Sequence, residues 1–279
     1  MNLPSTAATA LGRAFSRFPR ARALAVTLLL AVSPVHAGLD VAPTRLFIDD
    51  GERAAALVVI NRSDSSRMFR VIVTDTVEHE DGSRELLKTP GSEPHHAASM
   101  IRYAPRQATI APGERQTVRL QVRRPPDLDE GEYRARVIVQ TLPPAPPPSG
   151  PGEGDDGDGV TIRIETLFAV SLPIAITHGR PRAEVSLEAA RATEDGLEIV
   201  VGRSGDRSVY GGLTLYAGDM ADPPPLAQRD RAVVVVPLER RRFLFPDLHI
   251  PPGDSVHAVY EALEDRGGGV KSERTLIVE

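Results

Sequence analysis

Two clusters of polar residues in this 279-residue chain have residue types that could do chemistry. His95 and His96 could supply imidazole nitrogens to a metal, and Asp155, Asp156 and Asp158 could supply the hard oxygen ligands that Ca²⁺ prefers. However, adjacent residues of an extended chain point to opposite faces, so the two histidines cannot by themselves face one metal. The aspartates lack the glutamate and flanking helices of an EF-hand, and a solvated acidic linker is the alternative to a calcium site.

The sequence gives equally little support for a catalytic nucleophile. Gly202-Arg203-Ser204-Gly205 lacks the glycine spacing and the strand-to-helix context of a nucleophile elbow. Asn61-Arg62-Ser63 matches an N-glycosylation sequon, but a three-residue pattern commonly matches by chance. The sequence therefore predicts no enzyme, no cofactor and no metal. The competing hypothesis is an exported metal-dependent enzyme that uses His95 or His96 with the acidic residues.

The first 37 residues predict an export signal rather than a part of the fold. Four arginines precede the apolar run 23–32, and Val35-His36-Ala37 places small residues at the two positions that a signal peptidase inspects. The run is shorter than the roughly 20 residues that span a bilayer, and no later segment resembles a membrane span. We therefore expect cleavage after Ala37 and an exported, soluble mature chain.

Composition narrows both the partners and the sources of stability. The chain has no cysteine, so its stability in an oxidising compartment must come from its cores rather than from disulfides. A formal net charge of −5 argues against nucleic acid as a partner, because nucleic acid selects a basic face.

Alternation with a period of two dominates the sequence after residue 38 and predicts an all-β fold. The turn signal Ile110–Gly113, for example, precedes alternating Val118, Leu120 and Val122. Ala54–Asn61 is predicted to be a strand covered on both faces, and residues 79–98 a long polar loop. Seven short apolar runs follow between residues 185 and 278. The sequence thus predicts two immunoglobulin-like β-sandwich domains in tandem, residues 38–176 and 177–279, with the boundary within 177–182.

Residues 143–172 join an acidic loop to a long apolar strand. Residues 143–159 are rich in Pro, Gly and Asp and oppose packing into a core, whereas residues 160–172 are predicted to form one strand. In that strand Val160, Ile162 and Ile164 share one face. They would pack inward in an ordinary sandwich, or they would form an exposed edge that another chain pairs with.

Three segments resemble the periplasmic chaperones of the chaperone–usher pilus pathway, the PapD-like family, in a divergent branch. Ile110–Leu120 (IAPGERQTVRL) resembles the family's apolar-x-Pro-Gly-x-x-x-x-Val-Arg-Leu signature, in the context of a turn that opens a strand. Residues 58–64 are similar to the family's strand followed by Asn-x-Ser/Asp, and Gly131–Arg134 resembles a strand start in divergent members. The resemblance covers most of the first domain, and the second domain matches in size and strand number.

The resemblance implies a function. Pilus subunits are incomplete sandwiches, and the chaperone lends a strand to fill the subunit's groove until an outer-membrane usher assembles the fibre. Val160, Ile162 and Ile164 would be the side chains that fill the groove, and the protein would work in the periplasm. An exposed apolar edge also invites self-association. The alternative is an exported two-domain structural or adhesive β-sandwich without strand donation.

The family also holds the subunit's C-terminal carboxylate on two basic residues. Arg45 matches the first of them, and arginine suits the task because its planar fork can bind a carboxylate bidentately. The second is a lysine about five residues before a proline. Counting back from Pro173 reaches Phe168 or, with a slip of one, Ala169, and neither is basic. The second anchor is left unassigned, with three candidates: Arg163, Arg134 and Arg136.

Overall fold

The structure, a computed structural model, describes residues 38–89, 91, 93–143, 167–218, 224–263 and 269–279. Strands are the regular element of these residues, and the helical exception among them is a single 3-10 turn, Ala98–Met100. Within the described part of the chain, no helix is long and apolar enough to cross a membrane. The predicted all-β class is confirmed.

The first half of the described chain folds into one sandwich. Its strands are β1 (Leu39–Ala42), β2 (Leu46–Ile48), β3 (Ala54–Asn61), β4 (Arg67–Thr74), β5 (Thr76–Glu78), β6 (Arg84–Leu86), β7 (Ile101–Ala104), β8 (Gln107–Ile110), β9 (Arg115–Val122), β10 (Gly131–Thr141) and β11 (Ala169–His178). One sheet has the order β1-β3-β9-β7 and the other β2-β11-β10-β4-β8, while β5 and β6 form a separate hairpin. Alternate residues of the two sheets, such as Leu57, Phe69, Leu120 and Leu172, are fully buried between them.

The second half folds into another sandwich with its own core. Its strands are β12 (Ala183–Thr193), β13 (Gly196–Gly205), β14 (Val209–Ala217), β15 (Ala227–Val234), β16 (Arg240–Phe245), β17 (Ser255–Ala262) and β18 (Lys271–Ile277). The sheets have the orders β12-β13-β16 and β15-β14-β17-β18. Tyr260 is the largest fully buried side chain, and its hydroxyl donates a 2.8 Å hydrogen bond to the carbonyl of Ala232, which satisfies the buried polar group. The seven predicted strands are confirmed.

Two expectations about the first sandwich are wrong. β3 is not covered on both faces, because burial alternates along it: Leu57 and Val59 are buried, while Ala54 and Ala56 are exposed. Its continuous apolar run therefore belongs to a strand that buries only one face. The predicted loop 79–98 contains β6, which pairs with β5 from Thr76↔Leu86 to Glu78↔Arg84. These strands are three residues long and mostly polar, so they have no alternation that a sequence pattern could detect.

β11 differs from the predicted strand 160–172. Residues 160–166 lie outside the described residues, and β11 continues through Pro173 to His178. Proline has no N–H to donate, so it is tolerated in a strand where that group would face an open edge. β12 of the second sandwich begins at Ala183, five residues after β11 ends.

Candidate functional site

Two of the three segments that carry the family resemblance meet at one buried joint. Asn61 has no exposed surface, and its Nδ2 donates to the carbonyls of Ser65 at 2.8 Å and Ile110 at 3.0 Å. The backbone carbonyl of Asn61 accepts from the N–H of Gly113, whose φ of +75° suits glycine in the turn. Asn61 therefore ties the end of β3 to the turn before β9. With both amide hydrogens used, it is not placed to accept a glycan.

The third segment, at the start of β10, links the two sandwiches. Glu132 and Arg134 are two residues apart and project to the same side of the strand. Arg134 Nη1 donates to Glu132 Oε1 at 3.0 Å and to the Tyr210 hydroxyl at 2.5 Å, and Ser208 Oγ also donates to Glu132. Burial alone would lower the pKa of Arg134, but its interactions with Tyr210 and Glu132 outweigh that effect and raise it. This network is satisfied internally.

A cavity of about 240 Å³ lies beside this network. Its walls come from β2, β5, β6, β10 and β11 of the first sandwich and from β14, β15 and β16 of the second. The lining residues are Arg45, Leu46, Phe47, Glu78, Arg84, Arg134, Arg136, Pro173, Ala175, Tyr210, Arg231, Val233, Val235 and Arg241. Six of them are arginines and one is a glutamate, so the cavity has the charge of an anion-binding site.

Arg136 crosses β11 to reach the cavity. On β10 it is paired with Pro173, and its side chain runs diagonally to Ser171, where Nε donates to the hydroxyl and Nη2 to the carbonyl, each at 2.8 Å. It is 9% exposed and has no carboxylate partner among the described residues. Burial, and then the positive charge of Arg84, lower the pKa of Arg136 to about 10. The guanidinium still carries its charge at neutral pH, where it lacks a counterion.

Arg45 lines the same cavity as Arg136. It immediately precedes β2, which runs parallel to β11 and pairs with Ile174–Ile176 only. Arg45 is partly exposed, and within the described part of the chain its side chain makes no hydrogen bond or ion pair. The structure thus brings Arg45 into one cavity with two of the three candidates for a second anchor, Arg134 and Arg136. Of these two, Arg136 is the one that no carboxylate neutralises.

The other positions considered for the second anchor are elsewhere. Phe168 and Ala169 lie at the opposite end of β11 from β2 and do not line the cavity. Arg163 lies outside the described residues, as do the predicted donor residues Val160, Ile162 and Ile164. Residues 144–159 of the acidic loop are likewise not described. The positions of β11 that do line the cavity are Pro173 and Ala175, so this strand supplies no positive charge there.

The first half of β11 has an open edge. β10 pairs with β11 along its whole length, but β2 pairs only with Ile174–Ile176. The N–H of Thr141 donates to the carbonyl of Phe168, and bonding alternates along an antiparallel pair. The N–H groups of Ala169 and Ser171 therefore point away from β10, to the side where no described strand lies. Pro173 continues this series, which explains why its missing N–H is tolerated.

The two histidines do not form a metal site with the acidic residues that the structure describes. Nδ1 of His95 lies 2.8 Å from the carbonyl oxygen of Glu132, and its ring lies 5.8 Å from that of Tyr133. The backbone of His96 forms an isolated parallel β-bridge with that of Arg134. Among the described residues, no group of three or more His, Cys, Asp or Glu side chains is placed to hold a metal ion.

Sequence comparison gives no relative for this chain: no protein-family model matches it, and no curated protein matches it. Structural comparison finds chains with a similar fold. A chain of the CsuC–CsuE chaperone–tip adhesion subunit pre-assembly complex, from archaic chaperone–usher Csu pili of Acinetobacter baumannii, is 15% identical with a TM-score of 0.51. The matched region comprises 87% of this chain and 100% of the chain from that complex.

Two further matches come from fimbrial systems. A chain of a chaperone–tip adhesin complex of CFA/I fimbriae biogenesis has a TM-score of 0.52, and the class 5 fimbriae chaperone CfaA has 0.51. Each is 10% identical and covers 86% of this chain and 99% of its own. At such low identity the likeness establishes the fold. The chain has the tandem immunoglobulin-like fold of the chaperone–usher pilus chaperones.

Only three of the cavity's six arginines, Arg45, Arg134 and Arg136, are named by the sequence patterns. Arg84, Arg231 and Arg241 were not singled out, because they belong to a short hairpin and to the second sandwich. The signal that could have found the last of them is the run Arg240-Arg241-Arg242 opening β16, since three adjacent charges in a strand leave at least one on the less exposed face.

Proposed function

We propose that this protein is a periplasmic chaperone that binds pilus subunits and hands them to an outer-membrane usher. One observation carries the proposal: a cavity with two arginines that lack carboxylate partners, Arg45 and Arg136, adjoins the open edge of β11. A subunit strand added to that edge would bring its C-terminal carboxylate to the arginines. The fold shared with known pilus chaperones supports the same function.

Strand addition accounts for affinity in two parts. Backbone groups of a subunit strand would pair with the open side of β11 and of the residues before it, and Val160, Ile162 and Ile164 would enter pockets of the subunit. At about 1.5–3 kcal/mol for each buried apolar side chain, these three contribute very roughly 5–8 kcal/mol before the costs of association. The acidic residues 143–159 would give the approach to this strand its length and solubility.

The carboxylate contact fixes the register of the added strand. Arg136 already binds Ser171 at the outer edge of β11, and Arg45 stands where β2 takes over the pairing. A carboxylate between them would accept charge-assisted hydrogen bonds from both guanidinium groups. The subunit's C-terminus would then be held at one position, and each of its side chains would meet a defined pocket.

Export and the absence of catalysis complete the proposal. Residues 1–37 would direct the chain to the periplasm and be removed there. A chaperone of this kind acts by binding alone, so it requires neither a catalytic set nor a cofactor.

The donor strand is tested by charge insertion. Replacing both Ile162 and Ile164 with Asp should abolish co-purification with an exported β-rich subunit encoded in the same gene cluster, because two carboxylates would be buried in an apolar groove. The control is Thr161→Asp, which adds a charge at the position of opposite parity and should leave most of the complex intact. Undiminished binding by the double variant would refute strand donation and leave the structural or adhesive alternative.

The open edge of β11 is tested by a matched pair of prolines. Ala169→Pro removes an N–H that points to the open side, so it should leave the free energy of unfolding nearly unchanged and weaken the subunit complex about tenfold. Val170→Pro removes an N–H bonded to β10, so it should destabilise the sandwich by about 3 kcal/mol. Urea unfolding and calorimetric titration measure the two effects. If Ala169→Pro leaves the subunit affinity unchanged, β11 itself is not part of the paired edge.

A further inference from the structure

The cavity has more positive charge than one carboxylate would neutralise. Two of its six arginines are already paired: Arg84 makes two bonds to Glu78, at 2.8 and 3.2 Å, and Arg134 pairs with Glu132. The other four have no carboxylate partner among the described residues, and they are Arg45, Arg136, Arg231 and Arg241.

The four unpaired arginines form two groups on different walls. Arg45 and Arg136 belong to the first sandwich and meet at the edge of β11. Arg231 on β15 and Arg241 on β16 belong to the second sandwich. The two groups therefore face a bound chain end from different sides.

The side chain of Arg241 is held in place by neutral groups. Its Nη1 donates to the carbonyl of Val233 at 2.8 Å, and its guanidinium lies 5.2 Å from the ring centre of Phe243. Its Nε is buried and has no hydrogen-bond partner within the described chain. Arg231 at the rim is exposed and makes no ion pair with a described residue. Arg231 and Arg241 both line the cavity and neither has a described carboxylate partner, so an acidic group that enters the cavity on this wall would meet two positive charges.

We propose that the cavity binds two acidic groups of one partner chain: its C-terminal carboxylate at Arg45 and Arg136, and an acidic side chain near that terminus at Arg231 and Arg241. This inference rests on the proposed function and specifies its substrate class. In an extended chain, residues two apart share a face and lie about 7 Å apart. An acidic residue two positions before the C-terminus would therefore enter the cavity together with the last residue.

Electrostatics favours two acids over one. Burial, and then the positive charges of Arg84 and Arg134, lower the pKa of Arg136 to about 10, although Glu78 acts in the opposite direction. Burial likewise lowers the pKa of Arg241. One carboxylate at Arg45 and Arg136 would leave Arg231 and Arg241 without a counterion, whereas a second acidic group would supply one on that wall.

Synthetic peptides test the inference directly. The probe is the N-acetylated octapeptide Thr-Val-Thr-Val-Thr-Glu-Thr-Val with a free C-terminus, compared with the same peptide carrying Gln in place of Glu, and with both peptides as C-terminal amides. Binding to the full mature chain is measured by calorimetric titration at one fixed salt concentration, because charge–charge affinities depend on salt.

The expected pattern separates the two acids. Changing Glu to Gln in the peptide should weaken binding to the unaltered protein about tenfold, the loss of one partly buried charge-assisted contact. The same change should weaken binding to the Arg231→Gln variant less than about twofold, because that variant has lost the contact already. Amidation should weaken binding to both proteins. Arg240→Gln is the matched control, since Arg240 neighbours Arg241 on β16 but does not line the cavity.

Failure of the inference differs from failure of the proposed function. If Glu and Gln peptides bind equally while amidation still weakens binding, the single-carboxylate anchor stands and the second acidic contact is refuted. If the Glu effect persists in Arg231→Gln, and also in Arg241→Gln, the contact is not on the second wall. If amidation has no effect, or no peptide binds, both the proposed anchor and the inference built on it are wrong.

Discussion

Arg134 and Arg136 lie two residues apart on β10 and line the same cavity, yet their surroundings are opposite. Arg134 has a buried carboxylate and a tyrosine hydroxyl, which together raise its pKa. Arg136 has only the hydroxyl and carbonyl of Ser171, and burial lowers its pKa. The difference separates an arginine whose charge holds two sandwiches together from one whose charge is available to a ligand.

The sheet edges of the two sandwiches also differ in charge and in regularity of pairing. The outermost strands of the second sandwich carry charges that discourage pairing with other chains, such as Arg229 and Asp230 on β15 and Lys271 and Glu273 on β18. The pairs β12–β13 and β14–β15 also contain register irregularities. β11, by contrast, has no Asp, Glu, Lys or Arg and pairs with β10 in unbroken register. The first sandwich keeps open the kind of edge that the second one protects.

The largest expected effect is on stability, at the paired arginine. Arg134→Met would leave the carboxylate of Glu132, whose side chain is 4% exposed, without its cation. Breaking a buried pair by removing one partner costs about 3–5 kcal/mol. The free energy of unfolding, measured in urea at pH 7, should fall by that amount. Arg136→Met on the same strand is the matched control and should change it by less than about 1 kcal/mol, since no buried anion is left behind. Equal losses would erase the distinction between the two arginines.

The next effect is on binding, at the unpaired arginines. Arg136→Met and Arg45→Met should each weaken binding of a peptide with a free C-terminal carboxylate about tenfold, because each removes a charge-assisted hydrogen bond. Neither should affect the amidated peptide to the same degree. Calorimetric titration of both peptides measures this difference. If the amidated peptide loses as much affinity as the free acid, the arginines contribute general charge rather than a carboxylate site.

The sequence predicted those parts of the fold that depend on local alternation. Seven strands of the second sandwich and the long strands of the first follow from apolar residues two apart, because one face of each is buried. β5 to β8 are three or four residues long and carry too few buried side chains to show a period. β3 was predicted to be buried on both faces because alanine and valine are apolar on its exposed face as well.

Only those site residues that lie in a segment with a family pattern could be predicted from the sequence. Arg45 could be named from its position before an apolar triplet. Arg136 could be offered only as one of several candidates, because its role depends on a side chain that crosses a neighbouring strand to Ser171. Arg231 and Arg241 are brought to the cavity by the packing of the second sandwich against the first, a long-range arrangement that no local pattern encodes.

The smallest expected effect concerns Glu78, the one carboxylate among the described residues that line the cavity. Burial alone would raise the pKa of Glu78, but the hydrogen bond and the charge of Arg84 outweigh it and lower the pKa below its ordinary value of 4.5. The pair therefore stabilises the fold above pH 4.5, and this contribution is lost as the pH falls through the lowered pKa.

Glu78→Gln should accordingly reduce the free energy of unfolding by about 1 kcal/mol at pH 7, a modest value because Arg84 is partly solvated and water screens the pair. The difference from the unaltered protein should be smaller at pH 3 than at pH 7, as measured by urea unfolding at both pH values. Glu85→Gln on β6 is the control, because the exposed Glu85 makes no ion pair with a described residue and its loss should matter little at either pH. A Glu78 effect that is the same at pH 3 and pH 7 would mean that Arg84 does not depend on this carboxylate. Arg84 would then join the unpaired arginines, and the cavity would have five free cations rather than four.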